Sequence, residues 1–225
     1  TTDRQLCAED FPGHMRGPRR QSVLAALRPW NPFPCARPFV ARQYRDILGR
    51  DLDVTGQTFW AVRLRSGWTG PRVVEGFMRS EEFQGVVAPV VRVHLGLSAG
   101  APGPSSTIRD QLAAARQGAT PADLARQLLD ARPPVGDPQL VDEVYERLVG
   151  VAPSAAERQA ALDAIAASDQ AAWVGSLTAN PWVVARLRGP VDVAMAYVGL
   201  LDRAPDQGGW EHWVAQVGRG VSSQR

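Results

Sequence analysis

The sequence predicts an all-α protein of about four degenerate repeats of about 50 residues, preceded by an irregular, disulfide-tied N-terminal arm. Apolar residues recur three and four positions apart, as in Tyr44, Ile47 and Leu48, which is typical of an amphipathic helix. No stretch of useful length alternates with the period of two that a β-strand requires. One motif also occurs twice, at a distance too long for a hairpin, and this indicates duplicated helical units.

The duplicated motif is seen when YRDILGRDLDVTGQTFWAVRLRSG (44–67) is aligned with YVGLLDRAPDQGGWEHWVAQVGRG (197–220) without a gap. The residue pairs that are identical at this one offset are Tyr44 and Tyr197, Leu48 and Leu201, Arg50 and Arg203, Asp53 and Asp206, Gly56 and Gly209, Trp60 and Trp213, and Gly67 and Gly220. A weaker copy at 145–168 has Ser154 in the aspartate position, and another at 93–131 keeps mainly the apolar spacing. Four repeats are therefore predicted.

The elements follow the same order in each repeat. A first amphipathic helix ends at Gly or Asp, and after a short turn an Asp or Ser caps a second helix. The second helix carries the Trp of the motif and ends at a glycine, Gly67, Gly118 or Gly220. A third helix follows, as in GPRVVEGFMRS of the first repeat. The chain is divided accordingly into an arm (1–38), repeats 1 and 2 (39–136) and repeats 3 and 4 (137–225), with the last repeat incomplete.

The stretch DLDVTG at 51–56 resembles the first half of a calcium loop. The twelfth position of such a loop needs a bidentate Glu and is Val62 here, and the second copy has Ala204 in place of Asp51. The residues that do recur, Asp and Gly, suit a helix N-cap followed by a close backbone approach. We therefore expect a structural turn with Trp60 and Trp213 in the core, and keep calcium and ligand sites as alternatives.

Composition argues against several kinds of chemistry. All 25 basic residues are Arg, so there is no lysine for a Schiff base or a P-loop. The three histidines stand alone, and no motif of a zinc hydrolase or an α/β-hydrolase occurs. We predict no catalytic residue, no metal and no cofactor. The net charge of +2 favours no nucleic-acid partner, and no apolar run reaches the roughly 20 residues of a transmembrane helix.

The arm holds both cysteines, Cys7 and Cys35, which fit one disulfide better than a metal site. A disulfide implies an oxidising compartment, and the start TTDRQ suits a secreted chain whose signal peptide has been removed, or a trimmed chain. Residues 1–42 carry a net charge of +4, typical of an arm that contacts a neighbouring subunit or of a solvated tail. Trp30, in the extended PWNPFP, and Trp68 are candidate contacts for a partner or a ligand, although Trp30 equally suits packing against repeat 1.

These motifs resemble a known family. The pattern Y-x3-L-G-R-x2-D-x2-G-x3-W, followed by S-G and F-x2-S-E-E-F, resembles the bacterial family called domain of unknown function 4214, over 40–84 and again over 191–220. That family is similar to the phycobilisome linker repeat. The resemblance implies a helical module of secreted and surface proteins, and it implies no established catalytic residues.

The leading hypothesis is a non-enzymatic, secreted structural or assembly module of a bacterial cell surface or extracellular polymer. Helical repeats bury apolar faces against neighbours, which favours a homo-oligomer or a filament. Two alternatives remain: a carbohydrate-binding or adhesion module that uses exposed Trp and Arg, and an accessory subunit that binds other surface proteins in an envelope complex.

Overall fold

The computed structural model describes residues 36–98 and 101–219, and every regular element in this part of the chain is helical. The predicted all-α class is therefore confirmed. The predicted Cys7–Cys35 disulfide and Trp30 lie outside the described residues. The chain divides between Arg79 and Ser80 into two compact units, one formed by repeat 1 and the other by the repeats that follow.

Repeat 1 contains three helices in the predicted order. They are α1 (Ala36–Gln43), which continues into a π-helical turn (Tyr44–Leu48), α2 (Val54–Arg65) and α3 (Gly70–Met78). Gly49 ends the first helix and Gly67 follows the second, with φ of +68° and +92°. An L side chain is strained in this left-handed region, so glycine is the residue that allows the chain to turn here. The apolar stripe of α3 places Val73 and Phe77 in the core of this unit.

The second unit contains nine α-helices and two π-helical turns within its described residues. They are a π-helical turn (Phe83–Val87), α4 (Ala88–Leu97), α5 (Ser105–Arg116), α6 (Pro121–Asp130), α7 (Asp137–Leu148), α8 (Ala155–Ala167), α9 (Gln170–Thr178), α10 (Pro181–Arg186), α11 (Arg188–Met195), a second π-helical turn (Ala196–Leu200) and α12 (Gln207–Gly218).

The repeats are visible in the spacing of the second helices. α2, α5, α8 and α12 begin at Val54, Ser105, Ala155 and Gln207, so successive starts are 51, 50 and 52 residues apart. This spacing matches the predicted repeat length. The proposed division between residues 136 and 137 falls between α6 and α7, inside the second unit, and as a domain boundary it stays a prediction.

The predicted Asp or Ser cap of the second helix is present in repeats 1, 3 and 4, whereas in repeat 2 the N-cap of α5 is Pro104, which makes no side-chain bond. Ser154 caps α8 through a reciprocal pair of bonds with Glu157, in which each side chain accepts from the other residue's backbone N–H. Asp202, with φ of +52°, occupies the repeat position of Gly49 and is the one non-glycine residue with positive φ in the described part of the chain. The prediction that the first helix ends at Gly or Asp is confirmed for repeat 1, where Gly49 is the C-cap, whereas in repeat 4 the C-cap is Leu201 and Asp202 follows it.

Helix α4 lies at the centre of the second unit, and nearly all of its residues are buried. It carries two polar side chains into the core. Arg92 donates from Nε to the carbonyl of Thr178 at 2.8 Å, and so satisfies a free carbonyl at the end of α9. His94 is 1 % exposed, and burial lowers its pKa to about 4. A hydrogen bond with the Gln111 side chain raises the pKa and so offsets part of this effect. Within the described residues, no helix has the length and apolarity to cross a bilayer.

Candidate functional site

The motif that prompted the calcium alternative forms a tight corner between α1 and α2 in repeat 1. Asp53 is the N-cap of α2, and its Oδ1 accepts from the backbone N–H of Gly56 at 2.6 Å. Its Oδ2 accepts from Nη1 of Arg50 at 2.8 Å. The same guanidinium lies over the ring of Tyr44, with its central carbon 4.6 Å from the ring centroid. One carboxylate thus connects the helix start, an arginine and, through that arginine, a buried tyrosine.

The corner recurs in repeat 4 with the same partners. Asp206 caps α12 by accepting from Gly209 N–H at 2.8 Å, and it accepts from Arg203 Nη1 at 3.3 Å. The Arg203 guanidinium carbon lies 5.0 Å from the centroid of the Tyr197 ring. In both copies the backbone N–H of the arginine also donates to the tyrosine carbonyl, at 3.2 Å and 3.3 Å. The Tyr, Arg, Asp and Gly identities of the motif therefore encode one repeated geometry.

The glycine of the motif is required by space and not by backbone angle, since neither copy has positive φ. A Cβ on Gly56 would overlap the Tyr44 hydroxyl oxygen and lie 2.6 Å from the ring carbon Cζ. A Cβ on Gly209 would likewise overlap the Tyr197 hydroxyl oxygen. The tyrosine hydroxyl occupies the volume where any other residue would place its first side-chain atom. This is the close backbone approach expected from the sequence.

Both aspartates are held in their ionised form. The pKa of Asp53 lies below its ordinary value, chiefly because Gly56 N–H donates to the carboxylate and then because Arg50 does. The pKa of Asp206 is lowered by the same causes, Gly209 first and Arg203 second. Among residues 36–98 and 101–219, no group of three or more His, Cys, Asp or Glu side chains is placed to hold a metal ion. The contacts of both aspartates are those of a structural joint between helices.

The two motif tryptophans have different surroundings, which corrects one expectation. Trp60 is in the core, where its ring stacks on Phe77 of α3 with centroids 4.4 Å apart and an interplanar angle of 14°. Trp213 was expected in the core as well, but it is exposed, and Trp210 is the buried tryptophan of α12. The expectation was wrong because no counterpart of α3 follows α12 in the described part of the chain. Trp210, at the repeat position of Gln57, is buried instead, and the alignment with repeat 1 does not indicate this.

The same difference holds at three matched positions. Ile47, Leu48 and Trp60 of repeat 1 are 0 %, 2 % and 7 % exposed. Their counterparts in repeat 4 are 37 %, 56 % and 43 % exposed, and they are Leu200, Leu201 and Trp213. We call these three residues of repeat 4 the open face. In repeat 1 helix α3 packs against both the π-helical turn and α2, and this helix provides the cover that the open face lacks.

Trp68, a predicted contact for a partner or a ligand, is half-buried in the first unit and has two arginines near its ring. The guanidinium carbon of Arg72 lies 4.2 Å from its ring centroid and that of Arg63 lies 5.5 Å away. Arg63 also covers the exposed ring of Phe59, with its guanidinium carbon 3.2 Å from that centroid. We call these four residues, Phe59, Arg63, Trp68 and Arg72, the arginine–aromatic stack. Trp68 was predicted as a contact from the sequence and the other three were not, although the spacing of four residues between Phe59 and Arg63, and between Trp68 and Arg72, is a signal that could have indicated them.

The fold and the corner thus define an all-helical repeat protein. Residues 34–87 match the model of a family described as "Domain of unknown function (DUF4214)". This match covers repeat 1 and the start of the helix that follows it, and it confirms the resemblance over that segment. No curated protein and no solved structure matches the chain. The resemblance over 191–220 stays a prediction, although that segment repeats the geometry of the first corner.

Proposed function

We propose that this protein is a non-enzymatic structural module that self-associates through its open face, as part of a bacterial cell surface or extracellular polymer. The observation that carries the proposal is the contrast at matched repeat positions, where the side chains buried in repeat 1 are exposed in repeat 4. An apolar face of Leu and Trp side chains gains free energy when a partner removes it from water. The repeat itself shows the kind of cover that fits, a short amphipathic helix that brings an aromatic ring onto the Trp.

The distribution of charge supports a second copy as the partner. Residues 36–79 hold eight Arg and four acidic residues, a net charge of +4, whereas residues 80–219 hold 11 Arg and 16 acidic residues, a net charge of −5. Opposite charges on the two units favour contact between the basic unit of one copy and the acidic unit of the next. Such a head-to-tail contact generates rings or filaments, depending on whether the rotation between copies closes.

The test is light scattering behind a sizing column, with negative-stain images of the same fractions. We expect a mass well above that of the 24.3 kDa chain, and we expect Trp213→Ser with Leu201→Asp to reduce it to that of a monomer. The matched control is Trp182→Ser with Val151→Asp, because both residues are exposed and lie outside the open face. A monomer at every concentration of the unaltered protein, or equal dissociation of the control variant, would refute the proposal.

The proposed location is tested separately on the native source. Cell fractionation should find the protein outside the cytoplasm, and labelling of free thiols without reduction should find Cys7 and Cys35 blocked. Recovery in the cytoplasmic fraction with both thiols reactive would contradict secretion and leave the self-association test intact.

A further inference from the structure

We infer that the arginine–aromatic stack on repeat 1 is an interaction surface for carboxylate-bearing polysaccharides. The first observation is its uncompensated charge. The stretch 54–74 contains Arg63, Arg65 and Arg72 and no acidic residue. None of these three arginines forms an ion pair with any residue of 36–98 or 101–219. Glu75, the next acidic residue, lies 3.7 Å from Arg79 and is paired there.

The second observation is that two of these guanidinium groups are held in place. Arg63 and Arg72 lie over ring faces of Phe59 and Trp68, and Nη1 of Arg63 also donates to the Phe59 carbonyl at 3.1 Å. Stacking on an aromatic ring orders a long side chain that would otherwise move among many rotamers, and it leaves the other N–H groups of the planar fork free to donate to a ligand. Less entropy is then lost when an oxyanion binds, which is the advantage of preorganisation.

The two ordered guanidinium groups share one aromatic ring. Both central carbons lie within 5.5 Å of the centroid of the same Trp68 ring. Two forks that lie at one ring and form no ion pair with a described residue suit a ligand that carries planar carboxylates in series, since a carboxylate accepts two parallel N–H bonds from one guanidinium. A polymer of uronic acids presents such groups along its whole length, and the apolar edge of exposed Phe59 is available to its ring C–H groups.

The geometry also separates this partner from nucleic acid and from neutral sugar. Single-stranded nucleic acid is held by bases that stack on open aromatic faces. Here a guanidinium group covers one face of the Phe59 ring and another lies over the Trp68 ring. A neutral sugar has no charge for the two forks to recognise. The ordered N–H edges favour the carboxylates of an acidic polysaccharide.

The test uses the full chain and immobilised polygalacturonate, with fully methyl-esterified polygalacturonate as the uncharged ligand of the same backbone. We expect binding to the first and none to the second. Arg63→Gln with Arg72→Gln should weaken binding about tenfold or more, since it removes both ordered forks. Arg45→Gln with Arg65→Gln removes the same charge from the same unit without touching either ring contact, and it should weaken binding no more than about threefold.

Two further variants keep the result interpretable. Arg63→Lys with Arg72→Lys retains the charge and loses the planar forks, so a loss of about threefold or more identifies the forks as the cause. Trp213→Ser with Leu201→Asp should bind polygalacturonate as the unaltered chain does, because this inference does not depend on self-association. Thermal unfolding of each variant checks that the fold is intact. The inference is overturned by absence of binding, by equal losses in the two glutamine variants, or by equal affinity for single-stranded DNA of matched length.

Discussion

The contact between the motif glycine and the motif tyrosine gives a prediction that differs between the two copies. Gly209→Ala places a methyl group against the Tyr197 hydroxyl, and the remaining neighbours, the Asp206 carboxylate oxygens, stay at 3.2 and 3.3 Å. Gly56→Ala meets both the Tyr44 hydroxyl and the ring carbon Cζ at 2.6 Å. Gly56→Ala therefore has to move the buried ring away from both its oxygen and its ring-carbon contacts, whereas Gly209→Ala has to shift the Tyr197 ring only far enough to clear its oxygen.

The magnitudes follow from two opposing effects. Inserting a methyl group into filled space costs about 1–3 kcal/mol, and replacing glycine by alanine within a helix returns up to about 1 kcal/mol. We expect a net loss in the free energy of unfolding of about 1 kcal/mol for Gly209→Ala and about 2 kcal/mol for Gly56→Ala. Gly208→Ala is the control, because its Cβ would meet only Asp206 Oδ1 at an ordinary 3.8 Å, and it should leave stability unchanged or slightly raised.

The decisive comparison is a double-mutant cycle with the tyrosine hydroxyl removed. In a Tyr197→Phe background, Gly209→Ala should cost nothing or stabilise, which corresponds to a coupling energy of about 1 kcal/mol or more. In a Tyr44→Phe background, Gly56→Ala should still destabilise, because Cζ remains in the way. Urea unfolding followed by circular dichroism measures the free energy of unfolding of each variant in the cycle. Amide exchange shows whether the loss of stability is local to α2 or α12. Equal costs in the Tyr and Phe backgrounds of repeat 4 would refute the steric account.

Three further predictions concern other parts of the fold. Trp60→Ala should lower the free energy of unfolding, measured by urea unfolding, by about 3–5 kcal/mol, because its ring is buried against Phe77. Trp213→Ala, at the same repeat position, should change it by less than about 1 kcal/mol, because its ring is exposed. Equal losses would contradict the different burial of the two rings. His94 has a pKa of about 4 against an ordinary value of 6.5, so the unfolded chain takes up a proton below about pH 6.5 that the folded chain does not. Stability should therefore fall by about 3 kcal/mol between about pH 6.5 and pH 4, and His94→Leu should flatten this part of a series of urea unfolding curves. Gly175→Ala would place a Cβ 2.8 Å from the backbone nitrogen of Ala122, where α9 packs on α6. This substitution should lower the free energy of unfolding by about 2 kcal/mol or more in the same assay. No loss of stability would mean that the two helices can move apart at little cost.

The sequence by itself determined the class of the fold, the repeat and the corner. Each of these depends on residues that are neighbours along the chain. The spacing of apolar residues determines the helices, and a capping residue lies three positions before the N–H group from which it accepts. A glycine occurs where the backbone has positive φ or where a tyrosine side chain lies against the helix. Asp53 and Asp206 could be assigned to caps from one sequence because the partners of a cap are neighbours along the chain. The identity of two segments at one offset then implied that both form the same corner, and both do.

Only the tertiary structure decided which side of each repeated unit is covered. Trp60 and Trp213 occupy the same motif position, but Phe77 of another helix stacks on the first, and no described helix covers the second. The burial of a side chain depends on which other elements pack against its helix, and a local sequence pattern does not indicate which elements these are. The ordering of Arg63 and Arg72 on neighbouring rings arises in the same way, since α2 and α3 bring together residues that the sequence shows only as scattered arginines and aromatics.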